Sequence, residues 1–120
     1  MYVCDLRSKH EDEQDVQEQK ELAKRVMDGV AEFTGISVEE IVSSSRKAKV
    51  MEARHLSMYF VRSKTDLKLI EIATLHNKRS HVPVHHGLNK VRFMSSNERD
   101  FSQRLAKLKL KLDPIKPHKS

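Results

Sequence analysis

Four histidines crowd one short stretch of this chain: His76, His81, His85 and His86, among Lys78, Arg79, Asn89, Lys90 and Arg92. Three kinds of chemistry are open to such a set. Arg79 and His85 have an R-x5-H spacing, and an anion-stabilising arginine with a general-base histidine would suit phosphodiester cleavage by an RNase. His81 and His85 stand at i, i+4, where two imidazoles on one helix face can share a zinc ion. No cysteine or paired carboxylate completes that ligand set, and the cationic neighbours repel a dication. The third chemistry is groove reading, for which cations, imidazoles and an amide along one helical face are well suited. That third reading is adopted, so no catalytic residue, metal or cofactor is expected.

The element that must carry these groups runs over Asn77 to Val91 as a basic turn and a helix. Ser80 is the expected N-cap, because its hydroxyl can accept an orphan N–H of the first turn. Pro83 falls in that turn, where a missing N–H costs little. Val84, Leu88 and Val91 recur at i, i+4 and i+7 and form an apolar stripe. The polar side is left to the basic residues and histidines. This is the expected second helix of a helix-turn-helix.

Charge points the same way. The formal net charge is +6, yet residues 1–21 hold seven acids against three bases, so residues 22–120 carry +10. A basic body of that size favours a polyanionic partner. The single cysteine, Cys4, excludes an internal disulfide. The first residues lack the apolar run of a signal peptide, and no stretch approaches the ~20 apolar residues of a membrane span. A reduced, cytoplasmic setting at the nucleoid is therefore expected, without membrane contact. With 120 residues there is room for one domain, and three Gly and three Pro are too few for an all-β fold.

Along the chain, residues 1–14 read as a disordered acidic N-terminus, residues 15–112 as one helical domain and residues 113–120 as a disordered basic tail. Leu22, Val26, Val30 and Phe33 form the stripe of a first helix that Gly35 stops. Ser37 and Glu40 form a capping box for a short second helix. The polar S-S-S-R-K-A-K loop offers Arg46, Lys47 and Lys49 to phosphates or a minor groove. A third helix covers Val50 to Ser63. Thr65 is the expected cap of a fourth, with Leu67, Ile70, Ile72, Ala73 and Leu75 inward. After the signature helix, Asn97 caps a last helix with Phe101, Leu105 and Leu108 inward. The K-L-K-L-K-L run continues that stripe and is read as helix rather than strand. The fold class is all-α, about six helices with a helix-turn-helix.

Three segments in order carry a resemblance. They are A-R-H-L-S-M-Y-F-V-R (Ala53 to Arg62), E-I-A-T-L (Glu71 to Leu75) and K-R-S-H-V-P-V-H-H (Lys78 to His86). They resemble the A-R-Q-x-A-M-Y-L-x-R, E-I-G-x-x-F and G-R-D-H-T-T-V-x-H segments of the C-terminal DNA-binding domain of the bacterial replication initiator DnaA. The resemblance covers roughly Gln17 to Leu112. It implies a fold of the Trp-repressor and DnaA C-terminal type, sequence-specific binding of double-stranded DNA, and a link to replication initiation. It implies that His81 contacts a base or phosphate, that Arg79 lies near the backbone and that Arg54 reads base edges. It also implies that Arg46, Lys47 and Lys49 stand in for the family's basic loop.

Departures accompany the match. Ser80 replaces the family aspartate, His55 a frequent glutamine, and Val82 and Pro83 the paired threonines. Val82 retains only apolar contact, as with a thymine methyl, so an altered sequence preference is expected. The expected DNA-contact set is completed by Lys78, His85, His86 and Lys90. No G-x-x-x-x-G-K-[ST] loop occurs, so no nucleotide is expected. The chain then reads as a stand-alone DNA-binding regulator or mobile-element protein. An adaptor that docks a protein partner through the acidic N-terminus, without DNA binding, is the alternative, and an RNase a more distant one.

Overall fold

The structure, a computed structural model, describes residues 2–115, with side chains from Val16 onward. Six helices follow one another: α1 (Tyr2–Thr34), α2 (Val38–Ile41), α3 (Ala48–Lys64), α4 (Leu69–Leu75), α5 (Val82–Asn97) and α6 (Arg99–Leu112). No strand occurs among the described residues. No helix there is long and apolar enough to cross a membrane.

In α1, Ala23, Val26, Met27 and Val30 recur every three or four residues, and all are buried. The helix ends where Gly35 takes φ 77°, a left-handed value that glycine adopts without a Cβ penalty. Its N–H donates to the Ala31 carbonyl at 2.9 Å. Ser37 Oγ then accepts the Glu40 N–H at 3.2 Å and opens α2.

The central element is α3, against which α1, α2, α4 and α5 all pack. Val50, Ala53, Leu56, Met58, Phe60 and Val61 bury several sides of it, so it reads less as a stripe than as a core helix. Its contact with α5 is close because residue 87 is glycine. A Cβ there would lie 3.0 Å from His55 Cδ2 and 3.3 Å from Met58 Sδ. In α6, Leu108 and Leu112 are buried while Leu110 is 73% exposed. Burial at i and i+4 with i+2 outside is helical, as the continuity of the stripe predicts.

Several boundaries differ from those read in the sequence. Helical backbone continues through residues 2–14, a segment read as disordered; its Leu6, Arg7, Lys9, Glu11, Glu13 and Gln14 are good helix formers. Residues 116–120 of the expected tail lie outside the described residues. Thr65 closes α3 rather than opening α4: its N–H and Oγ1 both reach the Val61 carbonyl, at 3.0 and 2.7 Å. Lys68 occupies the N-cap of α4, and its N–H donates to Glu71 Oε1 at 2.8 Å. Ile70, expected inside, is 44% exposed. Glu98, not Asn97, precedes α6, while Asn97 Nδ2 donates back to Phe93 O at 2.8 Å.

Candidate nucleic-acid interface

The helix-turn-helix is α4, a turn over residues 76–81, and α5. The chain must reverse sharply after α4, and Asn77 does so at φ 58°, the one positive-φ non-glycine among the described residues. Asparagine tolerates this region better than most side chains. The Lys78 N–H then donates to the Ala73 carbonyl at 2.8 Å and closes α4. Asn77 Nδ2 donates to Val42 O at 3.2 Å, which ties the turn to the end of α2 and so to the start of the basic loop.

At the start of α5, His81 takes the cap position and Val82 and Pro83 the first two helical ones. Ser80 stands one residue earlier than expected of the cap. Its Oγ accepts the Val82 N–H at 3.4 Å, a turn-type contact. Val84, Leu88 and Val91 are buried as the stripe requires. Arg79, Ser80, His81, Val82, His85, His86, Asn89 and Lys90 are exposed, and Lys78 and Pro83 are half-buried. Val82 is 62% exposed, an uncovered apolar side chain amid cations and imidazoles.

The structure brings most of the expected set together. His81 and His85 stack edge to face with centroids 5.1 Å apart, and His55 of α3 meets His86 of α5 at 5.8 Å. Arg46, Lys47 and Lys49 are exposed on the loop before α3. Lys78 feels that loop. Its ammonium is pushed below the ordinary lysine value first by burial, then by the charges of Arg54 and Arg46. Cationic loop and helix-turn-helix turn therefore share one region. The α5 N-terminus adds its own partial positive charge there.

Arg54 is the exception. It was expected to read base edges, yet it is 6% exposed. Nε donates to Ile41 O at 2.8 Å, and one terminal nitrogen donates to Ser43 O at 2.7 Å and Ser45 O at 3.0 Å. The guanidinium donates to the last carbonyl of α2 and to two loop carbonyls, and so shapes the basic loop from behind. Burial also lowers its proton affinity. His55 is half-buried beneath the face. Burial, then the charges of His86, Arg54 and Lys90, pull its pKa down to about 4, so it is neutral at pH 7.

One buried pair escaped the sequence reading. Ser57 Oγ and His76 Nε2 lie 2.7 Å apart, and both residues are fully buried. His76 Nδ1 is 2.8 Å from Ile72 O. A carbonyl only accepts, so Nδ1 carries the proton and the Ser57 hydroxyl donates to Nε2. This pair pins the end of α4 to α3 and holds the turn in place. Burial drops the His76 pKa to about 4 against the opposing carbonyl bond. Gly87 also escaped notice, although a glycine inside a helical pattern is itself a signal of close packing. Among the described residues, no three His, Cys, Asp or Glu converge as metal ligands.

A family model described as the bacterial DnaA protein helix-turn-helix matches residues 23–91. The chromosomal replication initiator protein DnaA of Picosynechococcus sp. is 31% identical over 78 residues, covering 65% of this chain and 17% of that protein. The same protein of Thermus thermophilus is 37% identical over 71 residues, covering 59% of this chain and 16% of that protein. The chain thus corresponds to a small part of these relatives. The crystal structure of a DNA replication initiation factor superposes with a TM-score of 0.79 at 25% identity, covering 95% of this chain and 35% of that one. With the matched region spanning more than half of its length, the chain belongs to the bacterial DnaA helix-turn-helix family.

Proposed function

We propose that this chain binds double-stranded DNA, with the start of α5 in the major groove and the loop of Arg46, Lys47 and Lys49 on the backbone or in the adjacent minor groove. The observation that carries this is the convergence of an exposed basic and histidine face on α5 with the cationic loop. Among the described residues, no side-chain hydrogen bond or ion pair engages Arg79, His81, His85, His86 or Lys90. Arg79 and Lys78 anchor phosphates, while His81, His85, His86 and Lys90 approach base edges or backbone. His55 supports the face from beneath. Arg54 acts through the loop it holds.

Val82 supplies the apolar contact. The C5 methyl of thymine is the apolar group that a major groove presents, and an exposed valine beside it reads thymine by contact. Threonines at residues 82 and 83 would add hydroxyls that valine and proline lack, so the preferred site differs from that of the family's standard binding box. The chain acts as a DNA-binding regulator or mobile-element protein at the cytoplasmic nucleoid.

The test is fluorescence anisotropy with a random-sequence duplex pool at low and high salt, followed by sequencing of the bound fraction. Salt-sensitive binding with an enriched, thymine-containing motif is expected, and uracil in place of that thymine weakens it. Changing Arg46, Lys47 and Lys49 to Ala weakens binding to every duplex and flattens the salt dependence by about one unit of slope per lost contact. Absence of binding at low salt sinks the reading.

A further inference from the structure

A groove between α3, α5 and α6 shares only His55 and Lys90 with the proposed DNA face. It has a volume of about 240 Å³ and is lined by Ala48, Met51, Glu52, His55, Lys90, Val91, Met94 and Phe101. Its walls are mainly apolar, and two methionines adapt to guests of varied shape. At its rim Lys90 is exposed, and the Glu52 carboxylate is paired with Arg104. Such a groove fits an apolar anchor carried on an acidic segment.

The chain itself carries such a segment. Residues 2–15 are helical backbone, and they combine Tyr2, Val3 and Leu6 with Asp5, Glu11, Asp12, Glu13 and Asp15. The continuous helical backbone of α1 places Tyr2 roughly 20 Å along the helix axis from Val16, at 1.5 Å of rise per residue. Gln19 Oε1 accepts the Asp66 N–H at 2.9 Å, just past the end of α3. The groove adjoins the opposite end, where Ala48 and Met51 begin α3. A straight arm that leaves at one end of α3 does not reach a groove at the other.

We infer that the groove accepts the acidic N-terminal helix of a second copy of this chain. The arm carries five acids against Arg7 and Lys9, and it meets a body that is strongly basic. The arm's apolar residues fill the groove and its carboxylates cover Lys90. Each copy offers one arm and one groove, so two copies satisfy both reciprocally. Because His55 and Lys90 also belong to the proposed DNA face, docking of the arm excludes DNA; this consequence rests on the DNA-binding reading, whereas the docking itself does not.

The test is therefore made without DNA, by sedimentation velocity of the full chain at rising concentration. A shift from monomer toward dimer is expected, weakening with salt. An arm variant combines D5N, E11Q, D12N, E13Q and D15N, and a groove variant carries Met94→Glu. Each alone stays monomeric. Mixed together they associate again, through the intact arm of one and the intact groove of the other. Lys90→Glu, at an exposed position, replaces the groove variant if Met94→Glu melts below the parent. A chain that is monomeric at every concentration, association that survives both variants, or a mixture that stays monomeric overturns the inference.

Discussion

Arg54 with His76, and Arg79 with His81, are two pairs of the same residue types put to opposite uses. The first pair lies inside, behind the basic loop and beneath the turn. Arg54 Nε and one terminal nitrogen donate to carbonyls, and the two ring nitrogens of His76 meet a carbonyl and Ser57. The second pair lies on the surface at the start of α5, exposed to whatever approaches. Residue type alone does not separate them. Burial does, because a buried charge or imidazole must be satisfied within the protein, whereas an exposed one keeps its donors for a ligand.

That contrast is most severely tested from the apolar stripe on which both regions rest. Val84→Asp places a carboxylate at a fully buried site and should cost on the order of 5 kcal/mol, enough to abolish the cooperative melt. An unchanged melt would mean that this side of α5 faces solvent. Arg54→Ala comes next. It leaves three carbonyls without a charged donor and should lower stability by about 3 kcal/mol, read as a lower melting temperature, with weaker duplex binding as a consequence of a loosened loop. Arg54→Lys should not rescue it, because one ammonium does not reproduce the fork of the guanidinium.

The buried histidine gives the contrast a pH signature. Folded, His76 stays neutral down to about pH 4; unfolded, it takes a proton near 6.5. Between those values the unfolded chain binds more protons, so stability is fullest above pH 6.5, falls as pH drops toward 4, and levels below that. The share from His76 reaches at most about 3 kcal/mol. His76→Gln should flatten that part of the melting-temperature profile, and an unaltered slope would remove His76 as its source.

The outer pair should behave in the reverse sense. Arg79→Ala and His81→Ala should leave melting within about 0.5 kcal/mol of the parent. Each should weaken duplex binding by roughly 1–3 kcal/mol, with relaxed sequence preference for His81→Ala. A melting loss comparable to that of Arg54→Ala would erase the distinction between the two regions.

The apolar periodicities determined the helices. The α5 stripe buries where its spacing predicts, whereas Leu22 and Phe33 of α1 and Leu105 of α6 are only half-buried beside buried Val26, Val30, Phe101 and Leu108; Gly35 and Asn77 take left-handed conformations at chain reversals. The basic loop, the helix-turn-helix and the family match were also legible, because they depend on residues close together along the chain. The ends of α4 and α6 were less so: Thr65 and Asn97 are good caps by type, but each side chain turned back to a carbonyl four residues earlier. Local rules name capping residues without deciding between competing partners.

Only the tertiary structure decided which basic and histidine side chains are spent inside. Arg54 bonds carbonyls nine to thirteen residues away, and His76 bonds a serine nineteen residues away. Such partners meet only once α2, α3 and α4 have packed, and no periodicity along the chain encodes them. The composition set the polyanionic partner class and the pattern set the helices. Packing chose the surface, because desolvation rewards internal partners and leaves unpaired donors where water, or a duplex, can reach them.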